Sequence, residues 1–143
     1  MEIGVSGGES LLLWKEYFRY GDIIGVDTRP CPERDFTVFV GDINSEDIYN
    51  KLSDQSFDII IDDASHTQTS QIISFKLYKS LLRYGGLYII EDVQSDDVAI
   101  ALHKTGRFLE LDLRSKKGRY DDRLFIYQSP LASVDDLSRQ EPV

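Results

Sequence analysis

The sequence holds one cysteine, Cys31, in 143 residues. A lone thiol excludes an intrachain disulfide and leaves no cysteine-based zinc site. It fits a reducing, cytoplasmic compartment. Basic residues are also scarce, with 16 Lys and Arg against 25 Asp and Glu and a net charge of −9. That balance argues against a nucleic-acid backbone or an anionic membrane surface as the main partner. It leaves room for a nucleotide-sized ligand held by backbone amides. No apolar run approaches the roughly 18–20 residues that a bilayer span requires. The first residues show no basic region followed by an apolar stretch, so no signal peptide is expected.

What is present is an alternation of short apolar runs with helical patterns. Residues 1–5 read as the end of a strand, and the abrupt start suggests a trimmed or minimal N-terminus. A glycine turn, Ser6 to Ser10, leads into a helix in which Leu11, Leu12, Trp14, Tyr17 and Phe18 recur at helical spacing before Gly21. Trp14, Tyr17 and Phe18 are expected to pack under a sheet. Strands follow at 23–26 and 36–40, separated by a polar loop from Thr28 to Asp35. A short helix capped by Asn44 or Ser45 leads to a fourth strand, Phe57 to Ile61. Ser65 or Thr67 caps a longer helix with an apolar face from Ile72 to Leu82, which Gly85-Gly86 ends before a strand at 87–90. A helix from Asp96 or Asp97, a half-exposed strand at 108–113, a loop at 116–119 and a last strand at 124–127 complete the pattern. This order predicts an α/β fold: a Rossmann-like, doubly wound, mostly parallel sheet with an antiparallel C-terminal strand pair. One core domain is expected over residues 1–130, followed by a polar tail at 131–143.

Polar groups gather where strands end. Asp62-Asp63-Ala64-Ser65-His66 follows the fourth strand, and Glu91-Asp92 follows the fifth. In an open α/β sheet the carboxyl ends of the strands are where ligands bind. If the two strands are neighbours, their carboxylates repel unless they hold a proton or a cation. Oxygen ligands suit a hard ion such as Mg²⁺. His66 beside it is a candidate general base. Capping and solvation of strand ends would explain one such acid, but explains two adjacent pairs and a histidine less well. Glu2, Gly4 and Gly8 frame a turn that either approaches a nucleotide closely or merely joins strand to helix; its spacing fits the dinucleotide fingerprint poorly. Asp27 ends the next strand, where a carboxylate can accept from a ribose diol or simply be solvated. Asp42 either meets an adenine amino group or caps the following helix. His103 reads as a helix-surface residue and 116–119 as a solvated loop.

Taken together, Ile61-Asp62-Asp63-Ala64-Ser65-His66 and Gly85-Gly86-Leu87-Tyr88-Ile89-Ile90-Glu91-Asp92 resemble class I S-adenosylmethionine-dependent methyltransferases. The closer resemblance is to the metal-dependent sugar O-methyltransferases of macrolide biosynthesis, of mycinamicin and macrocin type. Relatives described as rhamnosyl O-methyltransferases or cephalosporin-hydroxylase-like proteins share the signature. The resemblance covers about residues 1–128. It implies the class I methyltransferase fold and a Mg²⁺-dependent methyl transfer from S-adenosylmethionine to a hydroxyl of a sugar or glycosylated small molecule. It further implies that Gly4 and Gly8 border the methionine part of the cofactor with Glu2 beneath. Asp27 would bind the ribose, Asp42 would lie near the adenine, Asp63, Glu91 and Asp92 would hold Mg²⁺, and His66 would take the acceptor proton. Relatives of this type carry further N-terminal segments that cover the cofactor.

Two rivals stand beside this reading: a nicotinamide-dependent oxidoreductase on a similar sheet, and a non-catalytic module that binds the cofactor. Asp62 is expected to face away from the metal and to matter little for its affinity. Apolar surface near an open cofactor groove leads us to expect a homo-oligomer.

Overall fold

A computed structural model describes residues 1–32 and 35–133. Glu33 and Arg34 of the expected 28–35 loop, and residues 134–143 of the expected tail, lie outside the described residues. The strands are β1 (Glu2–Ile3), β2 (Ile24–Asp27), β3 (Thr37–Val40), β4 (Phe57–Asp62), β5 (Leu82–Ile90), β6 (Phe108–Asp112) and β7 (Arg123–Gln128). The helices are α1 (Glu9–Tyr17), α2 (Glu46–Leu52), α3 (Gln68–Tyr78), α4 (Asp96–His103) and α5 (Arg114–Lys117). The strands form one seven-stranded sheet in the order β3-β2-β1-β4-β5-β7-β6. The first five are parallel, and β7 inserts antiparallel between β5 and β6. The strand order reverses between β1 and β4, the switch point at which open α/β sheets bind ligands. The mostly parallel sheet and antiparallel edge match the sequence expectation.

Isoleucine and valine recur in the central strands because the sheet is covered where they lie. Ile3, Val26, Ile60 and Ile90 are fully buried. Under α3 an aromatic cluster fills the core: Phe75 meets Tyr88 at 5.3 Å, Phe108 at 4.8 Å and Tyr127 at 5.1 Å between ring centroids. Ser45, Thr67 and Ser95 cap α2, α3 and α4 with their side chains. Lys116 and Lys117, the start of the loop expected at 116–119, instead belong to the single turn α5.

Two expectations fail for identifiable reasons. Gly85-Gly86 does not end a helix. α3 stops at Tyr78, a 3₁₀ turn spans Lys79–Leu81, and β5 already runs through both glycines. They form an irregularity opposite the register shift between Phe57 and Ile59. A Cβ on Gly86 would come 3.0 Å from the carbonyl oxygens of Arg83 and Asp58, so a side chain there would force the neighbouring backbone to shift. The aromatic residues of α1 do not all pack under the sheet either. Leu11 is buried, but Tyr17 is 75% exposed and Phe18 36%. Successive right-handed crossovers from β1 to β2 to β3 would place their helices on one face. The described residues linking β2 to β3 form no helix, so α1 has no neighbour on that flank.

Candidate active site

The acidic stretches meet because β4 and β5 are parallel neighbours, with Asp62 in register with Ile90. Asp63 and Glu91 are therefore the first residues beyond two adjacent strand ends. The amide of Asp63 donates to the carbonyl of Ile3, and that of Glu91 to the carbonyl of Asp62, both at 2.9 Å. The chain then turns sharply on each side. His66 (φ 44°) and Asp92 (φ 53°) both occupy the left-handed region, which non-glycine residues enter at a cost and mostly at functional sites. His66 Nε2 lies 3.9 Å from Asp63 Oδ1 and 3.9 Å from Asp92 Oδ2. These separations are too long for hydrogen bonds, and ligand atoms of all three side chains lie within 4.8 Å of one another. His66 Nδ1 is buried without a hydrogen-bond partner among the described residues.

Electrostatics reinforce the geometry. Burial, followed by the negative charges of Asp63, Asp92 and Glu2, pushes the Glu91 carboxyl up to about 7, against a smaller opposing effect of Lys117. Burial also raises Asp63; His66 works against that rise and Asp92 adds to it. Carboxyls held above their ordinary range by burial and one another are relieved by a cation. The donors that converge are two carboxylates and one imidazole, and their oxygens fit a hard divalent ion.

Of the other expected residues, Gly4 and Glu2 adjoin this centre, and Gly8, Asp27 and Asp42 lie at or beyond the ends of β1, β2 and β3. Gly4 (φ 88°) sits so close to the β4 loop that a Cβ would lie 2.3 Å from the Asp63 carbonyl oxygen. Gly8 (φ 95°) is the N-cap of α1, and its amide donates to Val5. Glu2 is buried beneath the turn, accepts from the Ser10 hydroxyl at 2.7 Å, and is raised by burial. Asp27 does more than end β2. Its carboxylate accepts from the amides of Val5 and Ser6 at 2.9 and 2.8 Å and from that of Arg29 at 2.9 Å. Burial pushes this carboxyl up, but the amides of Ser6, Arg29 and Val5 outweigh that effect and hold it below its ordinary value. Asp27 therefore shapes the glycine turn, including Ser6 at φ 51°. Asp42 is exposed and accepts from the Asn44 amide at 2.9 Å, a turn contact preceding α2. His103 lies away from the cluster, 3.6 Å from Glu110.

A buried polar layer beneath the site was not among the sequence expectations. Asp62 accepts from Ser74 and from the Tyr88 hydroxyl, and Gln71 Nε2 donates to the Glu91 carbonyl at 2.9 Å. All four side chains are buried. The signal in the sequence is Ser70, Gln71 and Ser74 interleaved with the isoleucines, leucines and aromatics of the same helix.

Comparison with known proteins bears on the fold and the family. The architecture is that of the class I methyltransferases: the fibrillarin pre-rRNA processing protein of Methanococcus jannaschii superposes with a TM-score of 0.70 over 92% of this chain and 66% of its own, at 20% identity. Within that class the chain is similar to sugar-modifying O-methyltransferases. It is 37% identical over 105 residues to demethylmacrocin O-methyltransferase of Streptomyces fradiae, covering 65% of this chain and 27% of the relative. It is 38% identical over 108 residues to 8-demethyl-8-alpha-L-rhamnosyl tetracenomycin-C 2'-O-methyltransferase of Streptomyces olivaceus, covering 66% and 28%. The solved structure of the mycinamycin-pathway methyltransferase MycE, in complex with Mg, SAH and mycinamycin VI, matches at 35% identity and a TM-score of 0.57 over 64% of this chain and 27% of its own. The chain thus spans little more than a quarter of the length of these relatives. No protein-family profile matches it.

Proposed function

We propose that this chain is the catalytic core of an S-adenosylmethionine-dependent, Mg²⁺-dependent O-methyltransferase acting on a hydroxyl of a sugar or glycosylated small molecule. The observation that carries the reading is the meeting of Asp63, His66 and Asp92 within 4.8 Å at two adjacent strand ends. The similarity to enzymes named for macrolide and rhamnosyl substrates supports the acceptor class. Asp63, Glu91 and Asp92 would hold the ion. Glu2, Gly4 and Gly8 would border the methionine part of the cofactor, Asp27 the ribose and Asp42 the adenine. When bound, the cofactor supplies the methyl group and the ion lowers the pKa of the acceptor hydroxyl.

The residues of the chain do the rest. His66 Nε2 takes the acceptor proton, a role worth roughly 10²–10⁴-fold in rate. Its left-handed backbone turns the imidazole toward Asp63 and Asp92. The turn from Gly4 to Gly8 fixes the direction of approach, and in-line alignment supplies much of the remaining acceleration. Residues 1–130 would form the core and 131–143 a tail. The single thiol fits a cytoplasmic setting. The exposed apolar surface of α1 favours a homo-oligomer.

The test is transfer of labelled methyl from S-adenosylmethionine to glycosylated acceptors, with and without chelator, alongside calorimetry with S-adenosylmethionine and NAD. Metal-dependent transfer and selective binding of S-adenosylmethionine are expected. Transfer undiminished in excess chelator, or preferential NAD binding, would overturn the reading.

A further inference from the structure

α3 presents a polar seam to the sheet where its neighbours present apolar side chains. Ser70, Gln71 and Ser74 are all buried, and each reaches a different segment. Ser70 pairs with Asn44, in the loop before α2. Ser74 donates to Asp62, at the end of β4. Gln71 donates to the backbone carbonyl of Glu91, at the end of β5. A carbonyl can only accept, so the amide nitrogen of Gln71 must face it. Glu91 is thereby held through both of its backbone polar groups, since its amide already donates to the backbone carbonyl of Asp62. The next residue, Asp92, sits at φ 53°, a conformation that persists only where its surroundings over-determine it.

We propose that Gln71 is a positioning residue for the candidate metal centre. Its side-chain amide fixes the orientation of the Glu91–Asp92 peptide and so sets where both carboxylates stand relative to Asp63. The inference rests on the proposed metal site, and it assigns a specific task to a side chain outside that site. Removing this one donor takes the partner from a part-buried carbonyl, and the strand end recovers a hydrogen bond by rotating toward water. Rotation carries Glu91 and Asp92 away from Asp63 and opens the ligand set. Groups that orient metal ligands typically contribute about 10–100-fold in metal affinity.

The experiment measures Mn²⁺ affinity by electron paramagnetic resonance, in the full chain, at a temperature where circular dichroism shows every variant folded. Gln71→Met keeps the bulk of the side chain and removes the donor; Gln71→Glu places a carboxylate against the carbonyl. Ser70→Ala removes a polar group from the same seam that contacts Asn44 instead. Asp63→Asn reports on the site itself. Mn²⁺ affinity is expected to fall about 10–100-fold in Gln71→Met and further in Gln71→Glu, and to stay within about twofold in Ser70→Ala. Binding of S-adenosylhomocysteine without metal is expected to stay within about twofold of wild type in Gln71→Met, because its proposed contacts lie at other strand ends. Wild-type Mn²⁺ affinity in folded Gln71→Met, with loss in Asp63→Asn, would overturn the role of Gln71 and leave the metal site standing. An equal fall in Ser70→Ala would reduce Gln71 to general packing and also overturn the proposal. No Mn²⁺ binding by wild type, or full binding by Asp63→Asn, would overturn the metal site and the proposal together.

Discussion

At the residue scale, single carboxylates have different tasks according to what surrounds them. Asp27 and Glu91 both end parallel strands, yet amides draw the pKa of one down while burial and neighbouring acids push the other to about 7. Asp27→Ala should lower affinity for S-adenosylhomocysteine and also lower the melting temperature, since each lost hydrogen bond to a charge is worth about 1.5–3 kcal/mol. Asp27→Asn keeps one acceptor oxygen and should lose less of both. Calorimetry and thermal unfolding of the pair check this, and unchanged affinity in folded Asp27→Ala would contradict it. For Glu91 the sign is the reverse of the usual carboxylate. In the metal-free protein the folded state keeps a proton that the unfolded chain releases from about 4.5 upward. That contribution is complete below the unfolded pKa and disappears as pH rises through about 7. Metal-free protein should therefore lose stability between pH 5 and 8, and Glu91→Gln should flatten that decline. Denaturant titrations across the range, showing the same slope in both proteins, would contradict the assignment. Which strand-end acid would be drawn down and which pushed up was not legible in the sequence. Asp27 looks like any terminal carboxylate until the amides of Val5 and Ser6 are seen to point at it.

At the scale of elements, the alternation of apolar runs with helical spacing located all seven strands, because parallel strands buried on both faces read as continuous apolar runs. What it located poorly were junctions decided by partners distant in sequence. Gly85-Gly86 resembles a helix stop, but its place in β5 depends on Phe57 and Asp58 across the sheet. The polar seam of α3 was hidden for a similar reason, since Gln71 acquires its meaning only from Glu91 on another strand. The glycine turn shows the same dependence on distant partners. Gly4 reads in the sequence either as a close approach to a ligand or as a tight strand-to-helix turn, and in the structure its missing Cβ also leaves space for the Asp63–Ala64 backbone. Gly4→Ala combines a positive φ, costing about 1–2 kcal/mol, with a Cβ that the β4 loop must move to admit. The variant should lose more than about 2 kcal/mol of stability and should also bind Mn²⁺ more weakly, because the displaced loop carries Asp63. Thermal unfolding with Mn²⁺ titration tests this; a stable variant with wild-type metal affinity would show that the close approach is not required.

At the scale of the whole molecule, the acidic balance and the uneven covering of the sheet dominate. No helix among the described residues is long and apolar enough to cross a membrane. Tyr17, Phe18 and Tyr20 line a groove of about 990 Å³ that runs between α1 and the sheet past Trp14, Ile24 and Phe57, and Leu12 and Leu13 are exposed elsewhere on α1. Contiguous apolar surface of this kind is usually covered in solution. We expect at least a dimer, and light scattering that reports a monomer at high concentration would count against that. The central claim concerns the other end of the sheet, where the family resemblance implies that Asp63, Glu91 and Asp92 hold an ion with His66 beside it as base. The geometry brings Asp63, His66 and Asp92 together most tightly. The most direct measurement is the anomalous signal of Mn²⁺ in crystals grown with S-adenosylhomocysteine. The account predicts one ion within roughly 2.5 Å of oxygens from Asp63, Glu91 and Asp92, with His66 outside its coordination sphere and the cofactor along the turn from Gly4 to Gly8. An ion held by Asp63, His66 and Asp92 with Glu91 turned away, or no ion at these strand ends, would contradict it.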